Sequence, residues 1–463
     1  MPDNLEVIIL AAGLGTRMKS KTIKILHRAA GRPIVDYVLD LAANISPRPP
    51  VMVIGHQREA VQQSVGSRAR YAVQEEQLGT GHAVMQAAQV LESEGIRSGN
   101  VLILSGDVPL TRPETLQGLV DEHRRSGNAL TLLTMKLDEP GLYGRIVRDG
   151  SGSVQKIVEA KDADDEIKRI NEVNAGIYLF SAEHLFDNLR KLSNSNAQGE
   201  YYLTDLLGTL RTAGQRVGAM IVPDPDEALG VNSRAELATV EAVIQRRVVQ
   251  KLMTDGVTFR NPQTVVIDST VVIGNDTVVY PFVTLEGKTK IGSGCVIEPG
   301  VHLRDVVVGN DVHVKTGTVA EESEIGDHAA VGPYAHLRPG TKLGESVKVG
   351  NFVETKKAVF GKGAKASHLS YIGDADVGAN ANIGAGTITC NYDGVRKNKT
   401  TIEEGAFIGS DTQLVAPVRV GKGAYVGAGS TITKDVPADS LALSRTPQRI
   451  VEGWAIKKRE EKK

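Results

Sequence analysis

The sequence predicts two unlike folds in series: a doubly wound α/β domain, then a parallel β-helix of hexapeptide repeats, with one helix between them. Three observations carry this. Aliphatic runs alternate with helix-like segments in the first half, a capped run at helical spacing follows residue 233, and aliphatic–glycine pairs recur near multiples of six in the second half. The corresponding boundaries are residues 1–234, 235–255 and 256–463.

A chain of 463 residues exceeds one ordinary core and divides into domains. Its 54 Lys+Arg nearly balance 55 Asp+Glu, which argues against a general affinity for nucleic acid or an anionic membrane. Aromatics make up only 4% while glycines number 49, a bias that suits a narrow solenoid interior. Cys295 and Cys390 are the only cysteines, too few for a disulfide framework. The first residues lack a basic leader, and nowhere do 18 apolar residues run together. A soluble cytoplasmic protein is the expectation.

Residues 7–10 form a continuous aliphatic run, as a strand covered on both faces requires. It empties into Ala11-Ala12-Gly13-Leu14-Gly15-Thr16-Arg17-Met18. Further runs at 51–54, 101–104 and 129–135 predict strands, and 81–91 and 113–125 predict helices, so a ligand belongs at the carboxyl ends of the strands. A glycine pair after a first strand lets backbone N–H groups approach phosphate oxygens. By itself it fits an ordinary tight turn as well, since a third glycine and a Gly-Lys-Ser/Thr sequence are both missing. Arg17 and Lys24 add the positive charge that a triphosphate needs. Asp107, just past the run at 101–104, is placed either to hold Mg²⁺ against phosphate or to cap a turn before Pro109.

Ser233 with Glu236 forms a capping box, and Leu237, Val240, Ile244, Val248 and Leu252 follow at helical spacing. Such a helix, about 20 residues and roughly 30 Å long, is either a strut between the domains or an element packed back on the first.

In the second half the pairs run from Ile273-Gly274 to Val426-Gly427, at intervals of 18, 17, 17, 6, 12, 6, 23, 5, 6, 25, 12 and 6. Each hexad supplies a short strand with its aliphatic side chain inward, the glycine relieves strain at the corner, and three hexads close one coil. The largest slip, from Ile383 to Ile408, has 25 residues in place of 24. Arg338, Lys356, His368, Tyr371, Asn382, Asn391, Tyr392 and Lys397 fall off the aliphatic register. Three cations suit a phosphate, and a histidine suits proton transfer near neutrality. A bare scaffold with a solvated histidine is the competing reading. Cys390 in the break invites a nucleophile reading, Cys295 reads as a packed or surface thiol, and the segment after Trp454 reads as a solvated tail.

Named motifs then carry a resemblance. LAAGLGTRM, QEEQLGTGHAV, LILSGDVPL, YGRIV, IVEAKDA, NAGIY and GVNSRAEL resemble the sugar-1-phosphate nucleotidyltransferases. With SHLSYIG at 367–373 and NIGAGTITCNYDG at 382–394, the whole chain is similar to the bacterial bifunctional N-acetylglucosamine-1-phosphate uridyltransferase and glucosamine-1-phosphate acetyltransferase family. The resemblance implies a Rossmann-like nucleotidyltransferase domain and a left-handed β-helix. It implies UTP, glucosamine-1-phosphate, N-acetylglucosamine-1-phosphate and acetyl-CoA as substrates, Mg²⁺ as cofactor, a homotrimer with sites between subunits, and a place in cell-wall and lipopolysaccharide precursor synthesis.

By that resemblance Leu10, Ala11, Ala12, Gly13, Gln74, Gly79 and Thr80 hold the uridine nucleotide, beside Ser105 and Gly106. Gly144, Glu159 and Asn174 hold the sugar, Asp107 and Asn232 the Mg²⁺, and Arg17 and Lys24 serve the transition state. His368 is the general base of acetyl transfer, with Glu354 orienting it or the substrate amine. Arg338, Lys356 and Lys397 bind the sugar phosphate, and Tyr371, Asn382, Asn391 and Tyr392 the rest of the amino sugar. Ala385, Ser410, Ala428 and Arg445 line the acetyl-CoA site, with Tyr392 and Ser410 as oxyanion donors. Cys390 has no covalent role in the family. Two departures stand out: Ile23 replaces a frequent proline before Lys24, and Ser105 a frequent aromatic. The alternative is a single-activity nucleotidyltransferase with a structural or regulatory β-helix.

Overall fold

The computed structural model describes residues 4–196 and 198–461, in two compact units that divide between Gln245 and Arg246. The first is built on a mixed sheet whose strands run Val217–Ile221, Leu130–Lys136, Glu172–Ser181, Asn100–Ser105, Leu5–Leu10, Val51–Ile54 and Arg70–Val73 across its width. Asn100–Ser105, Leu5–Leu10, Val51–Ile54 and Arg70–Val73 are parallel neighbours, while Glu172–Ser181 is antiparallel to both strands beside it. Alternation across the central strand explains its unbroken aliphatic run. Val7 and Ile9 join a core with helices Ile34–Ile45, Arg58–Val65 and Pro113–Ser126. Ile8 points the other way, into a core with helices Thr80–Ser93, Ala182–Leu189 and Asp205–Thr212.

Helix Arg234–Thr254 runs through the division between the units. Its capping box is half formed. The Glu236 N–H donates to Ser233 Oγ at 3.3 Å, but the Glu236 carboxylate takes the N–H of Asn232, at 2.8 Å, in place of that of Ser233.

The second unit is a parallel β-helix of two- to seven-residue strands. One ladder pairs Val278, Val296, His313, Ala330, Lys348, Lys365, Asn382, Phe407 and Tyr425 in succession. Seven of its eight steps are 17 or 18 residues long and one is 25, each a single coil, and inward-facing Val279, Ile297, Val314, Val331, Val349, Ala366, Ile383 and Ile408 belong to the core. Two expectations are corrected here. The 25-residue interval is one coil, since Asn382 pairs directly with Phe407. Its surplus emerges as a loop after Ile388–Cys390, closed at the base where the Asn398 N–H donates to the Asn391 carbonyl at 2.7 Å.

The second correction concerns glycine. Nearly all glycines of the aliphatic–glycine pairs have ordinary φ, and the left-handed corner comes two residues later, at Asp276, Asp311, His328, Ser346, Asn380 and Asp411 among others. What excludes a side chain at the paired glycine is the next coil: a Cβ on Gly378 would lie 2.5 Å from the carbonyl carbon of Glu403, and one on Gly409 2.5 Å from the Ala428 nitrogen. The last described element is a helix, Trp454–Glu460, exposed to solvent in the stretch read as a solvated tail. Among the described residues no helix is long and apolar enough to cross a membrane.

Candidate functional site

A cavity of about 440 Å³ opens at the carboxyl ends of the parallel strands in the first unit. Leu10, Ala11, Ala12, Gly13, Lys24, Gln74, Gly79, Thr80, Ser105 and Asp107 line it, ten residues singled out from the sequence. Leu14, Ile25, Gln77, Ala83 and Glu200 line it too and were missed. Gln77 lay within a quoted motif, whereas Glu200 comes from a distant segment with no local signal. A Cβ on Gly13 would meet nothing within 4 Å, so the backbone there stands bare toward open space. Gly15 answers a different demand: its φ is +60°, and a Cβ would press on Lys24 Cβ at 2.7 Å. Loop and lysine are therefore packed as one piece.

Lys24 Nζ forms an ion pair with Asp107 Oδ2 and donates to Asn232 Oδ1 at 3.1 Å. This joins three segments far apart in the chain. The Val231 N–H donates to the Asp107 carbonyl at 2.9 Å and fixes the third segment on the second. A carboxylate and an amide oxygen that already hold an ammonium fit a hard divalent cation; Mg²⁺ commonly takes one or two protein oxygens and completes its shell with water and phosphate. Arg17 is exposed, with no ion pair among the described residues, so its guanidinium is open to an anionic ligand.

The three sugar candidates also meet. The Asn174 N–H donates to the Gly144 carbonyl at 2.8 Å, and a Cβ on Gly144 would lie 3.5 Å from the Glu159 carboxylate oxygens. Burial, then the charge of Asp162, pushes the Glu159 carboxyl above its usual range. Asn174 Nδ2 donates to Tyr178 Oη at 2.6 Å, at an irregularity of the strand register. Ser105 Oγ donates to the Gly176 carbonyl at 3.2 Å in the same irregular stretch. Gln74 is buried, with Nε2 on the Gly79 carbonyl at 3.1 Å, and Thr80 Oγ1 accepts the Leu203 N–H at 3.1 Å.

In the second unit the off-register polar residues gather around the long coil. His368 Nδ1 lies 2.7 Å from Asn351 Oδ1. With that amide oxygen as acceptor, Nδ1 carries the proton and Nε2 keeps its lone pair. Asn351 was missed, although it stands 17 residues before His368 and directly opposite it in the ladder. Glu354, expected to orient the histidine or the amine, pairs with Arg338 at 2.8 Å. Lys397, by contact and by charge, holds Lys356 below the usual lysine range. Two ammonium groups forced together, with Arg338 adding to the effect, make a site that an anion would relieve.

Tyr371 pairs with Glu354 across the strands, and Asn391 Nδ2 donates to Asp374 Oδ2 at 2.5 Å and reaches Tyr371 Oη at 3.5 Å. Tyr392 is exposed on the loop, its hydroxyl on the Gly394 carbonyl at 2.6 Å. Asn382 lies on the ladder of Lys365 and Phe407. Ala385, Ser410 and Ala428 follow His368 at one-coil steps: the Asp411 N–H donates to the Ala385 carbonyl at 2.7 Å, and the Gly429 N–H to the Ser410 carbonyl at 2.8 Å. Arg445 Nη1 closes the column on the Ala428 carbonyl at 2.9 Å. Burial pushes the Cys390 thiol up, which disfavours the thiolate a nucleophile needs. Cys295 is fully buried, its Sγ 3.1 Å from the Gly309 carbonyl.

Comparison with known proteins agrees with both halves. A nucleotidyl transferase family model matches residues 6–225, and a bacterial transferase hexapeptide model matches residues 270–305 and 399–434. The chain is 54% identical to the "Bifunctional protein GlmU" of Syntrophotalea carbinolica over 98% of its own length and 97% of that protein's. Proteins of the same name from Pelobacter propionicus and Trichlorobacter lovleyi are each 51% identical, over 98% of this chain and 99% and 98% of theirs.

Proposed function

Because the chain belongs to the GlmU family of bifunctional proteins, we propose that it makes UDP-N-acetylglucosamine in two steps, one in each unit. The second unit transfers acetyl from acetyl-CoA to glucosamine-1-phosphate. The first then joins N-acetylglucosamine-1-phosphate to the uridylyl group of UTP and releases pyrophosphate.

In acetyl transfer, His368 Nε2 takes the proton as the substrate amine attacks the thioester carbonyl, and the CoA thiol leaves. Asn351 holds the imidazole in the required tautomer. Lys356, Lys397 and Arg338 receive the sugar phosphate, and Tyr371, Asn382, Asn391 and Tyr392 line the amino sugar. The column Ala385, Ser410, Ala428 and Arg445 takes acetyl-CoA, with Ser410 or Tyr392 toward the developing oxyanion. The Asn351–His368 hydrogen bond across neighbouring coils is the observation that carries this half.

In uridylyl transfer, a sugar-phosphate oxygen attacks the α-phosphorus in line with the departing pyrophosphate, so no protein nucleophile is needed. Gly13 and its neighbours cradle the nucleotide, and Gly144, Glu159 and Asn174 hold the sugar. Arg17 and Lys24 offset charge on the phosphates. Asp107 and Asn232 would hold Mg²⁺, which when bound supplies charge neutralisation on the phosphate oxygens. The meeting of Lys24, Asp107 and Asn232 at the mouth of the cavity carries this half.

The hexapeptide repeats support a homotrimer, and a cytoplasmic location is part of the same proposal. A single-activity enzyme is disfavoured, since the relatives match across both units. The test is incubation with glucosamine-1-phosphate, acetyl-CoA, UTP and Mg²⁺: free CoA thiol and pyrophosphate are expected to rise together, and the absence of both would refute the assignment.

A further inference from the structure

Lys24 meets Asp107 and Asn232 from a one-turn segment, Lys24–Leu26, whose Ile25 is anchored in the core of the first unit. Two connections tie that segment to the chain beyond Asn232. Arg234, which opens helix Arg234–Thr254, donates from Nη1 to His27 Nδ1 at 3.2 Å. Two turns along, Glu241 Oε2 accepts the Ala30 N–H at 2.8 Å. His27 is welded to the lysine turn, since its N–H returns to the Lys24 carbonyl at 3.2 Å and its own carbonyl accepts the Ile34 N–H at 2.9 Å. On the opposite side the Glu236 carboxylate fixes the Asn232 N–H at 2.8 Å. These contacts close a ring: Lys24, His27, Arg234, Asn232 and back to Lys24 through its 3.1 Å bond to Asn232 Oδ1.

We propose that His27 and Arg234 are positioning residues for uridylyl transfer, setting the Lys24 ammonium against Asn232 by way of the helix that follows the domain. The inference rests on the uridylyl activity proposed above. An arginine at this place spends a donor on a neutral imidazole, which gives geometry with little ion-pair strength. His27 is buried, and its Nε2 has no hydrogen-bond partner among the described residues. What the ring supplies is one acceptor, Nδ1, directed at Arg234.

Asparagine and leucine at position 27 separate that acceptor from the bulk of the side chain, because they are close in shape and only asparagine carries an oxygen near the Nδ1 position. With UTP, N-acetylglucosamine-1-phosphate and Mg²⁺, the His27→Leu enzyme is expected to lose roughly 10–100-fold in kcat with KM for UTP little changed, as misplacement of a catalytic group does. The His27→Asn enzyme stays close to wild type. Both retain acetyl transfer, and His27→Leu melts no lower than His27→Asn, because the leucine buries no unpaired nitrogen. Equal uridylyl kcat in the two variants would overturn the proposal, and so would a loss in His27→Leu accompanied by a lower melting temperature than that of His27→Asn. A wild-type enzyme that releases no pyrophosphate would overturn the functional reading itself, which the variants by themselves do not touch.

Discussion

A histidine becomes a base only when something fixes which nitrogen is bare, and here that something is a single amide. Asn351 Oδ1 occupies the Nδ1 side of His368 at 2.7 Å. Replacing Asn351 with leucine frees the ring to rotate and to change tautomer, so acetyl transfer is expected to fall about 10–100-fold, by analogy with lost outer-shell support of other histidines. Uridylyl transfer stays intact, and coupled thiol and pyrophosphate assays on one preparation check both halves. An Asn351→Leu enzyme with full acetyl transfer would remove the amide from the mechanism. His368 was legible because its motif surrounds it; Asn351 was not, because a glycine-rich coil offers no local hint. The hint lay one coil away, at the 17-residue step that the aliphatic–glycine rhythm had already defined. Glu354, named by resemblance as an orienting group, stands opposite Tyr371 in the ladder and pairs with Arg338 at 2.8 Å.

At the scale of elements, the period of the solenoid was readable and its cause was not. Sequence shows that glycine recurs after an aliphatic residue; only the stacked coils show that a Cβ there would enter the backbone of the next turn. Gly378→Ala is therefore expected to destabilise the β-helix by about 1–3 kcal/mol through forced backbone movement. Asn380→Gly, two residues on, replaces a left-handed asparagine with φ +56° and leaves stability nearly unchanged. Urea unfolding of the two variants tests the contrast, and equal destabilisation would return the strain to the corner. The α/β unit carries its own pH-sensitive element. His123 in helix Pro113–Ser126 is buried against Thr131 Oγ1 at 2.8 Å, and burial, then Arg124, depresses its pKa to about 4 from the ordinary 6.5. A depressed folded pKa gives stability that is complete above pH 6.5 and is lost as pH falls through that value toward 4, roughly 3 kcal/mol in all. Unfolding of this unit at pH 7 and pH 4.5 is expected to show the loss, and His123→Leu to flatten it; an unchanged slope in the variant would place the acid sensitivity elsewhere.

Across the whole molecule, each proposed site draws its residues from one unit. The uridylyl candidates run from Leu10 to Asn232, before the division at Gln245, and the acetyl candidates from Arg338 to Arg445, after it. Both sites open to solvent: the first is a cavity at the end of a sheet, and the second includes the exposed His368 and Tyr392. The acetylated sugar phosphate is expected to leave one site and enter the other as a free small molecule. His368→Ala is expected to abolish acetyl transfer and spare uridylyl transfer, and Asp107→Ala to do the reverse. Neither variant then makes UDP-N-acetylglucosamine from glucosamine-1-phosphate. Mixed together in the presence of acetyl-CoA, UTP and Mg²⁺, they should restore it, after a lag while N-acetylglucosamine-1-phosphate accumulates in solution. The lag should shorten as the Asp107→Ala protein, which supplies that intermediate, is added in excess. A mixture that stays inactive although each variant keeps its own half-reaction would mean that the intermediate is never released, and the independence of the two sites would be lost with it.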